Sequence, residues 1–255
     1  MSTLGRKILV VPDAHARPGV DNRRFDALGN FIVDKRPDTV VSIGDWYDMA
    51  SLSSYDKGTI HAEGRRYQDD IVAGQDALAR TMSRVKRGYR TSRRKRPDFH
   101  ITLGNHEQRI ERAQVASPEL AGKLSYDDFR FKEAGWTVHD YLKPLVLEDI
   151  VFQHFFTSGV LGKPIGGVNH ARTLVLKNYQ SSVCGHSHAR DFWEDVRADG
   201  KKVQGLVVGC FDEGVHHYTT EQRRWWAGLV ILHECHDGEF EPAFYSMDYV
   251  LQKFL

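Results

Sequence analysis

The segment Ile8-Leu9-Val10-Val11-Pro12-Asp13-Ala14-His15 reads as a short β-branched strand stopped by proline, with two metal-capable side chains just past its carboxyl end. From residue 21 to residue 36, Phe25, Leu28 and Ile32 fall at i, i+3 and i+7. That spacing predicts an amphipathic helix with Asp21 as N-cap and Pro37 as its stop. Thr39-Val40-Val41-Ser42-Ile43 is then a second strand, and it runs into Gly44-Asp45. Strand, helix, strand is how a parallel α/β sheet begins.

The same grammar continues downstream. Tyr67, Ile71, Leu78, Met82 and Val85 keep helical spacing across residues 63–88, and Phe99 to Leu103 is a strand that enters Gly104-Asn105-His106-Glu107. Pro144 to Leu147 and Ile150 to His154 predict a hairpin about Glu148-Asp149, and residues 167–179 predict a helix. Ser181 to Cys184 then leads to Gly185-His186-Ser187-His188. Asp199-Gly200 and Asp237-Gly238 predict two further hairpin turns. With no linker, low-complexity tract or repeat, residues 1–255 are expected to form one domain carrying a helical and basic insertion at about 50–97.

Composition sets the outer limits. At 41% hydrophobic and 27% charged residues over 255 positions, disorder, collagen and coiled coil are excluded. Thirty-five Lys and Arg against thirty-four Asp and Glu leave a formal charge of +1, so any electrostatic argument about partners must be local. Three cysteines, Cys184, Cys210 and Cys235, are an odd number without C-x-x-C spacing, which argues against a disulfide framework or a zinc ribbon and fits a reducing cytoplasm. The four apolar residues before Pro12 are too few for a signal-peptide core, and no apolar run approaches a bilayer span. A cytoplasmic protein with no membrane partner is therefore expected, while protein partners are not indicated.

Thirteen histidines stand out, and five of them lie at strand ends. Ligands of open α/β sheets collect there. Taken singly, each block has an ordinary explanation: Asp13-Ala14-His15 a turn, Gly44-Asp45-Trp46-Tyr47-Asp48 an Asx-turn loop, Gly104-Asn105-His106-Glu107 a helix start capped by Asn105. Gly185-His186-Ser187-His188 is the most specific, since alternate residues of an extended segment are rarely both histidine for packing reasons.

In this order the blocks resemble the motif series of the calcineurin-like metallophosphoesterase superfamily: Asp-x-His, Gly-Asp-x-x-Asp, Gly-Asn-His-Asp/Glu, a lone His, and Gly-His-x-His. The resemblance spans roughly residues 8 to 190. It implies a four-layer αββα sandwich of two mixed sheets flanked by helices, with two divalent metal ions where the loops converge. Asp13, His15, Asp45 and His188 would hold one ion, and Asp45, Asn105, His154 and His186 the other. Imidazole and oxygen donors suit manganese first, with iron, zinc or nickel as alternatives. The resemblance also implies His106 as general acid or hydrogen-bond donor at the leaving oxygen, oriented by Asp48.

The serine/threonine phosphatase branch places arginines where this chain has Met49 and Leu103, and it lacks Gly-His-x-His. A phosphodiesterase acting on nucleic acid or nucleotides is the expected activity, with a phosphomonoesterase of a nucleotide or small metabolite as the alternative, a protein phosphatase behind both and an inactive scaffold last. The run from Arg84 to Arg96, with eight basic residues in thirteen, is a candidate path for a DNA or RNA backbone through Arg93, Arg94 and Arg96, or else a solvated helix end. His217, beside Arg223 to Trp226, is a candidate for a substrate-facing lip.

Overall fold

The computed structural model describes residues 5–212 and 224–255. Its strands are β1 (Arg6–Val11), β2 (Thr39–Ser42), β3 (Asp98–Thr102), β4 (Trp136–His139), β5 (Leu145–Leu147), β6 (Ile150–Phe152), β7 (Thr157–Ser158), β8 (Lys163–Pro164), β9 (Ser182–Cys184), β10 (Arg190–Val196), β11 (Lys202–Val208), β12 (Gly228–His236) and β13 (Glu239–Ser246). Its helices are α1 (Arg23–Lys35), α2 (Tyr67–Tyr89), α3 (Arg109–Ala116), α4 (Phe131–Ala134), α5 (His170–Asn178) and α6 (Met247–Phe254).

One sheet has the order β13-β12-β1-β2-β3-β4 and the other β10-β11-β9-β6-β5, and both are mixed. Strand alternation in β1 explains the layering, because successive side chains point to opposite faces. Ile8 and Val10 enter the core between the sheets with Val41, Ile150, Phe152, Val183 and Leu206. Leu9 and Val11 face the other way, into a second core with Phe25, Leu28 and Phe31 of α1, Leu78 and Val85 of α2, and Val250 of α6. A third core packs Ala171 and Leu174 of α5 against Cys184 and Val207 on the outer face of the second sheet. These three cores separate four layers, the αββα sandwich that the motif resemblance implies. No described helix is long and apolar enough to cross a membrane.

Two local expectations are corrected. Asn22, not Asp21, occupies the N-cap of α1, and its side chain donates instead to Ala73 O and Asp76 Oδ2 on α2 at 2.9 and 3.0 Å. Asp21 accepts from Arg23 N one step earlier. The helix expected from residue 63 begins at Tyr67, because Gly64 takes a left-handed φ of 74° after a 3₁₀ turn at Ile60–Ala62. The Asp199-Gly200 and Asp237-Gly238 turns do join β10 to β11 and β12 to β13.

Candidate metal centre

Every motif block lies just beyond the carboxyl end of a core strand, Asp13 and His15 after β1, Asp45 after β2, Asn105 and His106 after β3, His154 after β6, and His186 and His188 after β9. The loops are held to one another by backbone bonds. Ala14 N and His15 N both donate to Asp45 O at 3.0 and 2.8 Å, and Gly185 N donates to His154 O at 3.0 Å. His15, Asp45, Met49, His186 and His188 all have positive φ, between 44° and 67°. Left-handed backbone at non-glycine residues costs free energy, and its concentration here marks loops bent to aim side chains.

The donor atoms converge. His188 Nε2 lies 3.2 Å from Asp13 Oδ2 and 3.0 Å from His15 Nε2, while His154 Nε2 lies 3.3 Å from Asp45 Oδ2 and 2.9 Å from Asn105 Oδ1. Asp13, His15 and His188 form one potential metal-binding group and Asp45, His154 and His186 another; Asp45 also meets His15 and His106 in a third. Two glycines make room for the carboxylates: a Cβ on Gly185 would stand 2.2 Å from Asp13 Oδ1, and one on Gly104 2.1 Å from Asp45 Oδ1.

Electrostatics favour cations at this centre. Burial alone would raise the Asp13 carboxyl, but His154 and His188 outweigh it and hold the group below its ordinary range. Burial likewise opposes ionisation of Asp45, and His154 and His106 hold it well below. Asp13 Oδ1 is buried without a hydrogen-bond partner. A buried, ionised oxygen is costly unless something positive satisfies it, so carboxylate, imidazole and amide oxygen donors fit one or two divalent ions.

His106 is buried at the wall of the same cleft. Its Nδ1 lies 2.6 Å from Asp48 O and 3.1 Å from Asp48 Oδ1, two acceptors, so Nδ1 carries a proton and Nε2 faces the centre, 3.8 Å from Asp45 Oδ2. Asp48 Oδ1 is also 3.1 Å from His15 Nδ1, and one carboxylate thus orients two rings. Burial disfavours protonation of His106, but the Asp45 charge, with help from Asp48 and against Arg109, raises it above its ordinary value.

Three further residues support the centre, of which Trp225 belongs to the segment read as a lip, while the roles of Glu107 and His170 have no signal in the sequence. Glu107 is fully buried and its carboxylate accepts from Gly104 N, Asp45 N and Tyr47 N at 2.8, 2.9 and 2.9 Å, tying the β2 and β3 loops together. Trp225 stacks edge-on against His188 with ring centres 4.2 Å apart. His170, which has no motif spacing, is buried on α5 with Nδ1 3.2 Å from Ser187 Oγ and Nε2 3.6 Å from Cys184 Sγ, clamping the loop between His186 and His188. His170→Ala should weaken Mn²⁺ retention about tenfold in dialysis against a chelator, and His170→Gln should restore part of it. Identical retention in all three proteins would leave His170 as packing.

The remaining candidates are not brought to this centre. The 23-residue α2 is about 35 Å long; its first turn, at Asp69 and Asp70, lines the cleft, and its last carries the chain away. Arg93, Arg94 and Arg96 follow in the loop that returns to the amino end of β3, where Lys95 pairs with Asp98 at 2.9 Å, so they do not line the cleft. Arg84 is engaged with Asp26 of α1 at 2.9 Å. His217 lies outside the described residues.

No family model matches this chain, and no curated protein does. Among solved structures, the E. coli phosphoesterase Yfce is 11% identical, with 94% of this chain and 99% of that one covered and a TM-score of 0.41. A second is 13% identical at the same coverages, with a TM-score of 0.36. Likenesses this distant transfer no residue roles.

Proposed function

We propose that this protein is a metal-dependent phosphoester hydrolase with a dinuclear centre, acting on a nucleotide-sized phosphoester. The observation that carries the reading is a connected set of three carboxylate and imidazole groups, two of them meeting at Asp45 and two at His15, that opens into one cleft through Asp45, His186 and His188. Asp13, His15, Asp45 and His188 would hold one ion and Asp45, Asn105, His154 and His186 the other, with manganese the favoured metal. When bound, divalent ions supply Lewis-acid activation of water and charge neutralisation on phosphoryl oxygens.

The chain's own residues do the rest. Asp48 fixes the ring of His106 through Nδ1, so that Nε2 is the atom offered to a departing oxygen, as a proton or hydrogen-bond donor. The cleft, about 1010 Å³, is lined by residues between 50 and 66 and by Trp225, and its size suits a nucleotide-sized ester. A long nucleic-acid strand is less favoured than the sequence suggested, because the basic run that supported it stands at the far end of α2.

The test is a substrate panel with Mn²⁺: bis-nitrophenyl phosphate, nitrophenyl phosphate, nucleotides, cyclic nucleotides, DNA and RNA. Hydrolysis of small esters that chelator abolishes and Mn²⁺ restores is expected. Failure on every ester with both metals bound would discard the reading, and cleavage of polymers alone would return the nuclease.

A further inference from the structure

Arginines of the cleft differ in what they are bound to. Arg17 donates to Asp212 Oδ2 at 2.6 Å, and Arg65 to Asp56 Oδ2 at 2.6 Å, so both charges are already matched. Arg66 is exposed and donates to the carbonyl of its neighbour Arg65 at 2.9 Å, whereas Arg109, at the start of α3, is half-buried and anchored beside the prospective metal ligands. Its Nη1 donates to Asp48 O and Met49 O at 2.9 and 3.2 Å, and its Nη2 lies 3.2 Å from His106 Nε2. Among the described residues these partners are two carbonyl oxygens and a ring nitrogen, none of them a carboxylate.

Nη1 therefore fixes the guanidinium to the loop after β2, and Nη2, which spends one N–H on His106 Nε2, keeps a second for a ligand in the cleft that Arg109 lines with Asp45, Asn105, His186 and His188. The motif resemblance placed no arginine here, since Met49 and Leu103 stand where its serine/threonine phosphatase branch carries them. Arg109 brings the same charge from three residues beyond His106. Its anchors also prevent the swinging that would dilute its effect, because a planar fork held on one edge has little freedom left on the other.

We propose that Arg109 is a specificity residue, a fixed cation that contacts the additional anionic oxygen of a phosphomonoester and so favours monoesters over diesters. This rests on the phosphoesterase reading. A monoester carries one more unesterified oxygen than a diester, and that oxygen takes the second negative charge. A charge-assisted hydrogen bond to it strengthens binding about 10-fold to 100-fold, while an ester oxygen in the same place gains little.

The experiment uses the full chain loaded with Mn²⁺, comparing wild type, Arg109→Ala and Arg109→Lys. Inorganic phosphate binding is measured by calorimetry and metal content by elemental analysis, alongside kcat/KM on nitrophenyl phosphate and bis-nitrophenyl phosphate. Arg109→Ala should keep both metals, weaken phosphate binding about 10-fold to 100-fold, and lower the monoester-to-diester ratio of kcat/KM by a similar factor. Arg109→Lys should recover part of the ratio, and added guanidinium ion should raise monoester turnover of the alanine variant selectively. A merely structural role, through the carbonyls of Asp48 and Met49, would depress both esters alike. Unchanged phosphate affinity, or equal losses on both esters, overturns the inference and leaves the hydrolase standing; wild type inert on both esters takes down the hydrolase and the inference together.

Discussion

Asp45→Asn is expected to abolish hydrolysis, by about 10³-fold or more in kcat/KM, and to lower the Mn²⁺ content below two ions per chain. The reason is geometric. Asp45 is the carboxylate that reaches His154 and His186 on one side and His15 and His106 on the other, so one substitution removes charge from both prospective ion positions. Its backbone is not disturbed: Asp45 N still donates to Glu107 Oε2, Asp45 O still accepts from Ala14 N and His15 N, and the amide is isosteric with the carboxylate in the space that Gly104 leaves. Folding is therefore preserved and the loss is local. Thermal melts supply an independent readout, because an ion that binds only the folded chain raises the melting temperature. Wild type should gain stability with Mn²⁺, and Asp45→Asn should gain much less. A fully metallated, active variant would remove Asp45 from the centre of the site.

What the sequence made legible was whatever depends on short-range order. The alternation of Ile8 and Val10 against Leu9 and Val11, the helical face of Phe25, Leu28 and Ile32, and the polar blocks after each strand are written in neighbouring residues, and parallel strands bring such ends to one edge of a sheet. The illegible parts depend on distance through space. Asn22 gives up capping because α2, more than fifty residues away, offers Ala73 O and Asp76. The roles of Glu107 and His170 exist only once three loops and a helix meet, since nothing in their spacing distinguishes a buried acceptor from an ordinary helix-start acid or a core ring. Composition located the charge of the 84–96 run but not its place, and a helix as long as α2 moves that charge to the opposite end of the fold. Arg109 was hidden for the converse reason: a single arginine among thirty-five cations has no signature until its partners are known.

His106→Ala should separate binding from bond breaking. His106 Nδ1 is committed to Asp48 through both the carbonyl and the carboxylate, so that Nε2, beside Arg109 Nη2 at 3.2 Å, is the nitrogen that faces the reaction. His106 is placed to give a proton or a strong hydrogen bond to the departing oxygen, and removing it should leave both ions bound because the two prospective ligand sets do not require it. General acid catalysis is worth about 10²-fold to 10⁴-fold where the leaving oxygen is a poor one. Alkyl phosphates and nucleotides, whose alkoxides cannot depart unprotonated, should lose that full factor. Nitrophenyl esters, whose phenolate departs without a proton, should lose no more than about tenfold. Asp48→Asn should show the same selectivity in weaker form, since an amide still accepts from Nδ1 but no longer supports the charge that Nε2 must carry. The measurement is kcat on a series of esters with leaving groups of rising basicity, with metal content checked in each variant. A steeper dependence on leaving-group basicity in His106→Ala than in wild type is the expected outcome. Parallel lines, with equal losses on good and poor leaving groups, would assign His106 to positioning and leave proton delivery to another group.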